Sequence, residues 1–270
     1  MKFNTYLGKP IKGAYEAYLE RAKNTKEENN RETIGTTGIN STLENPRDYI
    51  QIQGIKGIHG NPVGISKFEV QGMNGKNYED THKAVFQSGK GLYIPTPAIF
   101  MQHFKNIVDT YQNNQTIFDA SGNPISKGEH EEIYRHLTTN FKDIYGNNQQ
   151  GAWTWLNAGF VQGTGFNNLD LETIIGINAD GTFKTRKEPL LPCLNEDAYA
   201  EIIFNAQGIA TAKSRKQKYN QGKNIYFWKP RNGRVARFYA DSDRVDLNCD
   251  GYPEYSNSSL GVFLCAEGVR

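Results

Sequence analysis

The chain has 270 residues, which is enough for one large domain or for a core domain with an appendage. Its 31 lysines and arginines nearly balance its 29 aspartates and glutamates, so the net charge of +2 gives no electrostatic reason to expect nucleic acid or a membrane surface as partner. The sequence contains no run of about 18 apolar residues, so no membrane span is predicted.

The first 47 residues are predicted to be an extension, either flexible or packed on a partner. Residues 14–22 can form a short helix with one apolar face, whereas the residues that follow have almost no apolar periodicity. The N-terminus lacks the apolar core of a secretory signal. A protein that acts outside a cell would then have to be carried there by a particle or by a non-classical route.

Residues 48–84 are predicted to be a strand-rich lead-in to a domain that covers residues 85–270. Apolar and polar side chains alternate from Tyr49 to Val70, which is typical of strands with one buried face. Asn61 and Pro62 interrupt the alternation and predict a turn.

Two helices are predicted next. Thr96 followed by Pro97 is a strong helix start, and Ser126 with Glu129 three residues later is a capping box. The apolar faces are formed by Phe100, Phe104, Ile107, Val108 and Tyr111 in the first helix and by Ile133, Leu137 and Phe141 in the second. His103 and His136 lie off these faces, so both are predicted to be solvated.

The second half of the chain is predicted to be rich in strands. Trp153, Trp155 and Phe160 form an aromatic cluster that is expected to anchor the core. A hairpin with its turn at residues 178–181 follows, and then several short apolar runs that suit a small antiparallel sheet. The cysteines are Cys193, Cys249 and Cys265, an odd number without CxxC spacing, so neither a disulfide framework nor a zinc site is indicated.

Residues 238–261, FYADSDRVDLNCDGYPEYSNSSLG, have the most unusual composition. Asp, Asn, Ser, Gly and Tyr recur at every second position, and Ala240, Val245, Leu247 and Cys249 alternate with them. Since successive side chains of a strand point to opposite faces, the polar set is predicted to face outward and the apolar set inward. Asp, Asn, Ser and Gly are poor strand formers. Tyr, Ser, Asn and Gly, however, are typical of binding loops.

Two other interpretations of this stretch stay open. One is a solvated, turn-rich surface without function. The other is a calcium loop, because Asp246, Asn248 and Asp250 occupy the first, third and fifth positions of an EF-hand-like pattern and Glu254 occupies the ninth. The twelfth position is Asn257, where a bidentate glutamate is required.

Residues 225–268 resemble the variable proteins of diversity-generating retroelements, and the likeness extends back to about residue 85. In that family a C-type lectin fold ends in a segment whose codons are rewritten at their adenines. Asparagine codons changed in this way yield Asn, Asp, Tyr, Ser and Gly, the residues found at the alternating positions of residues 239–259. Glu254 does not fit this scheme.

The resemblance implies an α+β, C-type-lectin-like fold that serves as a rigid platform for a variable ligand-binding surface. It implies an unknown protein or cell-surface ligand as partner, as in phage receptor-binding tips and microbial surface proteins, and no cofactor. The implied surface consists of Tyr239, Asp241, Asp243, Asp246, Asn248, Asp250, Gly251, Tyr252, Tyr255, Asn257 and Ser259.

An enzyme is the remaining alternative, because formylglycine-generating sulfatase modifiers share this fold. Their chemistry would need two closely placed cysteines, whereas the polar stretch separates Cys249 from Cys265. No Ser-His-Asp order, HExxH motif or glycine-rich phosphate loop is present. The sequence therefore predicts a binding protein without catalytic residues. The triplets of calcium-dependent sugar-binding lectins are also missing, so recognition of a sugar through calcium is not implied.

Overall fold

The computed structural model describes residues 45–70, 72–138, 151–241 and 243–268, together with the backbone of two short N-terminal strands. The chain divides into two compact units, Met1–Ile39 and Asn40–Arg270. In the first unit, β1 (Thr5–Tyr6) pairs with β2 (Lys9–Pro10) in antiparallel orientation. The helix predicted at residues 14–22 and the predicted helical residue Phe141 lie outside the described residues.

The described part of the second unit contains three α-helices, α1 (Tyr78–Gln87), α2 (Pro97–Gln112) and α3 (Lys127–Thr138). The predicted starts of α2 and α3 are confirmed: the Thr96 hydroxyl accepts a hydrogen bond from the backbone N–H of Ile99, and the Ser126 hydroxyl accepts one from Glu129. Helix α1 was not predicted. Its signal in the sequence is Asn77, whose side chain accepts from the backbone N–H of Asp80 at 2.8 Å.

In the described part of this unit, ten strands form two sheets. The larger sheet has seven strands in the order β7-β6-β5-β10-β11-β9-β8, and the smaller has three in the order β12-β4-β3. The bounds are β3 Tyr49–Lys56, β4 Pro62–Ser66, β5 Trp153–Gln162, β6 Leu169–Ile177, β7 Phe183–Pro189, β8 Ala198–Glu201, β9 Asn224–Trp228, β10 Arg234–Ala240, β11 Val245–Gly251 and β12 Cys265–Glu267.

The chain therefore belongs to the α+β class, as predicted. The predicted hairpin is present as β6–β7, and the chain turns just before Pro62, where a turn was predicted, so that β3 and β4 also pair in antiparallel orientation. The expectation of a small antiparallel sheet from the last apolar runs is wrong in two respects. Strands β9 and β11 pair in parallel, and β12 belongs to the smaller sheet.

The smaller sheet joins the C-terminus to the segment that was predicted to be a separate lead-in. The buried Glu267 carboxylate in β12 accepts hydrogen bonds from the backbone N–H groups of His59 at 2.7 Å and Asn61 at 3.1 Å, in the β3–β4 turn. A Cβ atom on Gly57 would lie 2.2 Å from this carboxylate, so a larger residue there would displace the Glu267 side chain. Residues 48–84 and the C-terminus thus share one compact unit, and no boundary falls at residue 85.

Two hydrophobic cores flank the large sheet. On the inner face, Phe238 of β10 packs against Phe100 and Phe104 of α2, with ring centroids 4.8 and 5.4 Å away. On the outer face, a smaller core between the sheet, α1 and the C-terminal segment contains Trp155 and Val262. This second core covers only part of the outer face.

The prediction that His103 and His136 are solvated is wrong. His103 is completely buried beside Phe100 and Phe263, because α2 packs against the sheet and its neighbouring elements with more than one stripe of side chains. The Nε2 atom of His136 lies 2.6 Å from a carboxylate oxygen of Glu69. Among the described residues, no helix is long and apolar enough to cross a membrane.

Candidate ligand-binding face

A row of polar and aromatic side chains crosses the uncovered part of the outer sheet face. Tyr239 of β10 lies opposite Trp153 of β5 on one side and Asp246 of β11 on the other. The row continues from Asp246 to Tyr226 of β9 and from there to Tyr199 of β8. We refer to this surface as the open face; it comprises Trp153, Tyr199, Tyr226, Trp228, Arg237, Tyr239, Asp246, Asn248, Tyr252 and Tyr255.

The predicted alternation of the C-terminal stretch is confirmed for its apolar members. Ala240, Val245, Leu247 and Cys249 are completely buried on the inner side of the sheet. Most of the predicted surface residues have the opposite orientation. Asp243, Tyr252, Tyr255 and Ser259 are exposed, and Tyr239, Asp241, Asn248, Asp250 and Asn257 are half-buried.

Asp246 differs from the expectation, because only 5% of its surface is exposed. The Trp228 indole N–H donates to one of its carboxylate oxygens at 3.1 Å, and the Arg244 guanidinium lies 3.0 Å from the other. Arg244 in turn lies over the Tyr226 ring, 5.1 Å from its centroid. Burial raises the pKa of Asp246 to about 6, although Arg244 and Trp228 act in the opposite direction. The side chains that bury Asp246 are Trp228 of β9 and Arg244. The alternation of residues within β11 cannot predict them.

Gly251 is the second residue that was predicted to lie on the surface and does not. It is buried, and a Cβ atom on it would lie 2.8 Å from the carbonyl oxygen of Val235, its partner across an irregularity in the β10–β11 pairing. A side chain at this position requires the backbone of β10 to move, so residue 251 is unsuited to variation.

We therefore expect Gly251→Asn to lower the free energy of unfolding by about 1–3 kcal/mol, the usual cost of forcing extra atoms into a packed site. Asp243→Asn introduces the same residue at an exposed position of the same stretch, where nothing obstructs it, and serves as the control. Urea unfolding at neutral pH measures both. Equal stability of Gly251→Asn and the parent would contradict the steric argument.

Arginine side chains cover several of the aromatic rings. The Arg234 guanidinium lies 3.5 Å from the centroid of Tyr252, and that of Arg237 lies 5.0 Å from the centroid of Tyr255. Tyr255 also lies 6.0 Å from Trp153. Such stacks hold large amphipathic side chains in place while leaving contact area for a partner.

The acidic residues of the stretch are also held by neighbours. Asp250 is ion-paired with Arg231 and, at 3.2 Å, with Arg234, and Arg231 also contacts Asp197 at 2.7 Å. The Tyr239 hydroxyl donates to Asp241 at 2.8 Å. The face therefore combines fixed charges of both signs with aromatic rings, which suits specific recognition rather than general attraction to one charge.

The residues of the alternative calcium loop do not form a loop. Asp246, Asn248 and Asp250 lie in the extended strand β11, where alternate residues are about 6.6 Å apart and ligands of one calcium ion, at 2.3–2.6 Å from it, cannot be gathered. The side-chain amide oxygen of Asn248 instead accepts a hydrogen bond from the backbone N–H of Asp250 at 2.9 Å, and Glu254 is exposed. The described residues contain no group of three or more His, Cys, Asp or Glu side chains that could hold a metal ion.

Cys249 and Cys265 do not form a reactive pair. Cys249 lies in the large sheet and Cys265 in the small one, and both are free and buried. Burial raises the pKa of both thiols well above the ordinary value, so neither supplies the thiolate that nucleophilic chemistry requires. Cys193 is free and half-buried, and burial raises its pKa to about 11.

Sequence reasoning missed several residues of the open face. Trp155 and Phe160 are buried as predicted, but Trp153 belongs to the open face. Tyr226 and Trp228 alternate with the buried Ile225 and Phe227, and this period of two was a signal that could have found them. Comparisons of the chain with protein-family models, with curated protein sequences and with solved structures each return no match.

Proposed function

We propose that this chain is a binding protein whose open face recognises a protein or cell-surface ligand. We further propose that its fold is C-type-lectin-like and that its C-terminal stretch is the variable segment of a diversity-generating retroelement. The observation that carries the proposal is the division of this stretch into two sets. Ala240, Val245, Leu247 and Cys249 are completely buried, while nine of the eleven predicted surface residues are exposed or half-buried.

This division supports a display function, because a surface can change its side chains only if the fold does not depend on them. The core beneath the face includes Phe238 and Leu247, which pack inward independently of the polar set. The aromatic residues of β9 come from outside the stretch and would form a constant part of the surface. Tyrosine and tryptophan offer large contact areas at low entropic cost, which is suited to a protein partner.

The two alternatives have less support. A calcium-dependent adhesion domain would need Asp246, Asn248 and Asp250 in a loop around one ion, and they are spread along a strand. An enzyme of the formylglycine-generating type would need two adjacent cysteines with a reactive thiolate. Cys249 and Cys265 lie in different sheets, and their pKa values are raised by burial.

Two randomised libraries test the proposal. In the first, residues 239, 241, 243, 248, 250, 252, 255, 257 and 259 vary among Asn, Asp, Tyr, Ser and Gly. In the second, only the buried residues 240, 245, 247 and 249 vary among the same five. We expect most members of the first library to remain folded, despite more substitutions, and most members of the second to unfold, because buried positions carry the stability. Surface display with a protease challenge measures the folded fraction.

Selection of the first library against unrelated proteins should then yield specific binders. Similar losses of folded protein in both libraries would contradict the display function, because the polar residues would then be structural. The gene gives an independent test of the retroelement. A neighbouring reverse transcriptase and a near-copy of the 3′ end that differs only at adenines are expected, and the absence of both would overturn that part of the proposal.

A further inference from the structure

Among the described residues, one arginine of the open face has no acidic partner. Arg237 of β10 is half-buried, and no described aspartate or glutamate oxygen lies within ion-pair distance of its guanidinium. The aspartates beside it are engaged elsewhere, because Asp246 pairs with Arg244 and Asp250 pairs with Arg234. Charged groups that are partly withdrawn from water are normally paired, so the guanidinium has donors to offer to a ligand.

The Arg237 guanidinium is nevertheless held in place. It lies over the Tyr255 ring, 5.0 Å from the centroid, and its Cδ atom would lie 3.6 Å from a Cβ atom on Gly251. None of its nitrogen atoms is shut off from solvent. Burial lowers the pKa of Arg237, and the Tyr255 hydroxyl and the two aspartates act in the opposite direction. A guanidinium stays charged in proteins, and one that is already positioned loses little side-chain entropy when it binds an anion.

A second free donor lies directly across the strand pair. Asn248 of β11 is the register partner of Arg237, and opposite side chains in such a pair have Cβ atoms about 4.5–5.5 Å apart. The amide oxygen of Asn248 accepts from the backbone N–H of Asp250, which assigns the other end of the amide as the N–H₂ group. That group has no hydrogen-bond partner among the described residues and is not shut off from solvent. Two neighbouring donors, one of them charged, match the two oxygens of a carboxylate.

We propose that Arg237 and the Asn248 amide bind a carboxylate, and that this carboxylate is an aspartate or glutamate side chain of a protein partner. The rings of Tyr255 and Trp153, 6.0 Å apart, provide apolar contact beside the guanidinium. The open face crosses five strands about 4.8 Å apart, so it extends over roughly 19 Å, which suits a protein partner better than a single sugar. The assignment to a protein rests on the proposed function, whereas the carboxylate site itself does not.

Residue 248 then controls access to the site. It is one of the positions that the proposed variable segment changes among Asn, Asp, Tyr, Ser and Gly, while Arg237 lies outside that segment and is constant. An aspartate at residue 248 would lie opposite the guanidinium and pair with it, since opposite charges at facing positions attract. Variants with Asn248 therefore accept an acidic partner, and variants with aspartate there do not.

The test uses the full chain and Nα-acetyl-glutamate methylamide as the probe, with Nα-acetyl-glutamine methylamide as the neutral molecule of the same shape and sodium chloride to match ionic strength. NMR follows the Arg237 Nε–H and Asn248 side-chain N–H₂ signals. We expect a saturable shift of both signals with the glutamate probe and none with the glutamine probe. Loss of a charge-assisted hydrogen bond should weaken binding about tenfold or more in Arg237→Gln and in Asn248→Asp. Arg135→Gln, which removes an arginine of α3 that is paired with Glu131, should bind as the parent does.

Asn248→Asp keeps Arg237 in place, so it decides the question even if Arg237→Gln unfolds, and circular dichroism checks the fold of each variant. Equal binding of the two probes, or unchanged binding in Asn248→Asp, would overturn the carboxylate site. The methyl glycoside of N-acetylneuraminic acid is the acidic-sugar probe. If it bound more than tenfold more tightly than the glutamate probe, the assignment to a protein side chain would be wrong.

The randomised libraries keep this inference separate from the proposed function. Binders from the first library, obtained although the glutamate probe does not bind the parent, would overturn the site and leave the display function intact. A glutamate probe that binds, with no binders from the library, would support the site and contradict the display function.

Discussion

Replacing Leu247 with alanine is expected to lower the free energy of unfolding by about 2–5 kcal/mol. Leu247 is completely buried in β11, between Phe238 of β10 and Phe227 of β9, and its loss leaves a cavity in the centre of the main core. Val262→Ala, in the second core, should also be costly for the same reason, though by less because it removes fewer atoms. Equilibrium unfolding in urea measures both losses.

The matched controls are substitutions on the other side of the same stretch. Asp243→Ala and Ser259→Ala remove exposed side chains, so each should change the free energy of unfolding by no more than about 0.5 kcal/mol. Asp246 does not serve as a control, because it is buried and accepts a hydrogen bond from Trp228. A loss in the controls as large as that in Leu247→Ala would mean that the exposed polar residues are structural, and the display function would fail.

Acidification from pH 7 to pH 5 is expected to destabilise the fold through two buried histidines. His82 and His103 are completely buried, and neither ring nitrogen of either residue has a hydrogen-bond partner among the described residues. Burial lowers the pKa of each from 6.5 to about 3. The unfolded chain therefore binds protons below pH 6.5 that the folded chain does not, and stability falls as the pH falls. At pH 5 each histidine lowers the free energy of unfolding by about 2 kcal/mol.

Other groups oppose this effect, so the test compares variants. Burial raises the pKa of Asp246, which adds stability as the pH falls. Burial lowers the pKa of His136 and the Glu69 carboxylate raises it, and the net shift is upward. His136 therefore also adds stability as the pH falls. Both are present in the parent and in the variant, and their contributions cancel in the difference. Between pH 7 and pH 5 the parent should lose about 4 kcal/mol more than the double variant His82→Leu, His103→Leu.

Phe86→Leu is the packing control for this experiment. Phe86 lies beside His82, with ring centroids 6.2 Å apart, but it does not titrate. Its substitution should lower stability equally at both pH values. If the double variant lost as much stability as the parent between pH 7 and pH 5, the two histidines would not be the acid-sensitive groups.

Local signals were sufficient for the predictions that depend on neighbouring residues. The caps at Thr96 and Ser126 located α2 and α3, because a side-chain oxygen at the first turn satisfies backbone donors only a few residues away. The period of two in residues 238–251 separated inward from outward side chains, since the pleat of a strand alternates regardless of its neighbours. Helix α1 was missed because its residues are mainly polar and its apolar side is completed by the second core.

The sequence by itself determined the α+β class, the hairpins, the inward set of the C-terminal stretch and the polar and aromatic composition of its outward set. Only the tertiary structure decided which strands lie next to β11. That arrangement brings Tyr226 and Trp228 onto the open face, buries Asp246 beneath Arg244 and places the backbone of Val235 against Gly251. Pairing between strands distant in the chain depends on the packing of the whole sheet against α2 and α3. The spacing of residues within one strand therefore cannot predict which strands will be its neighbours.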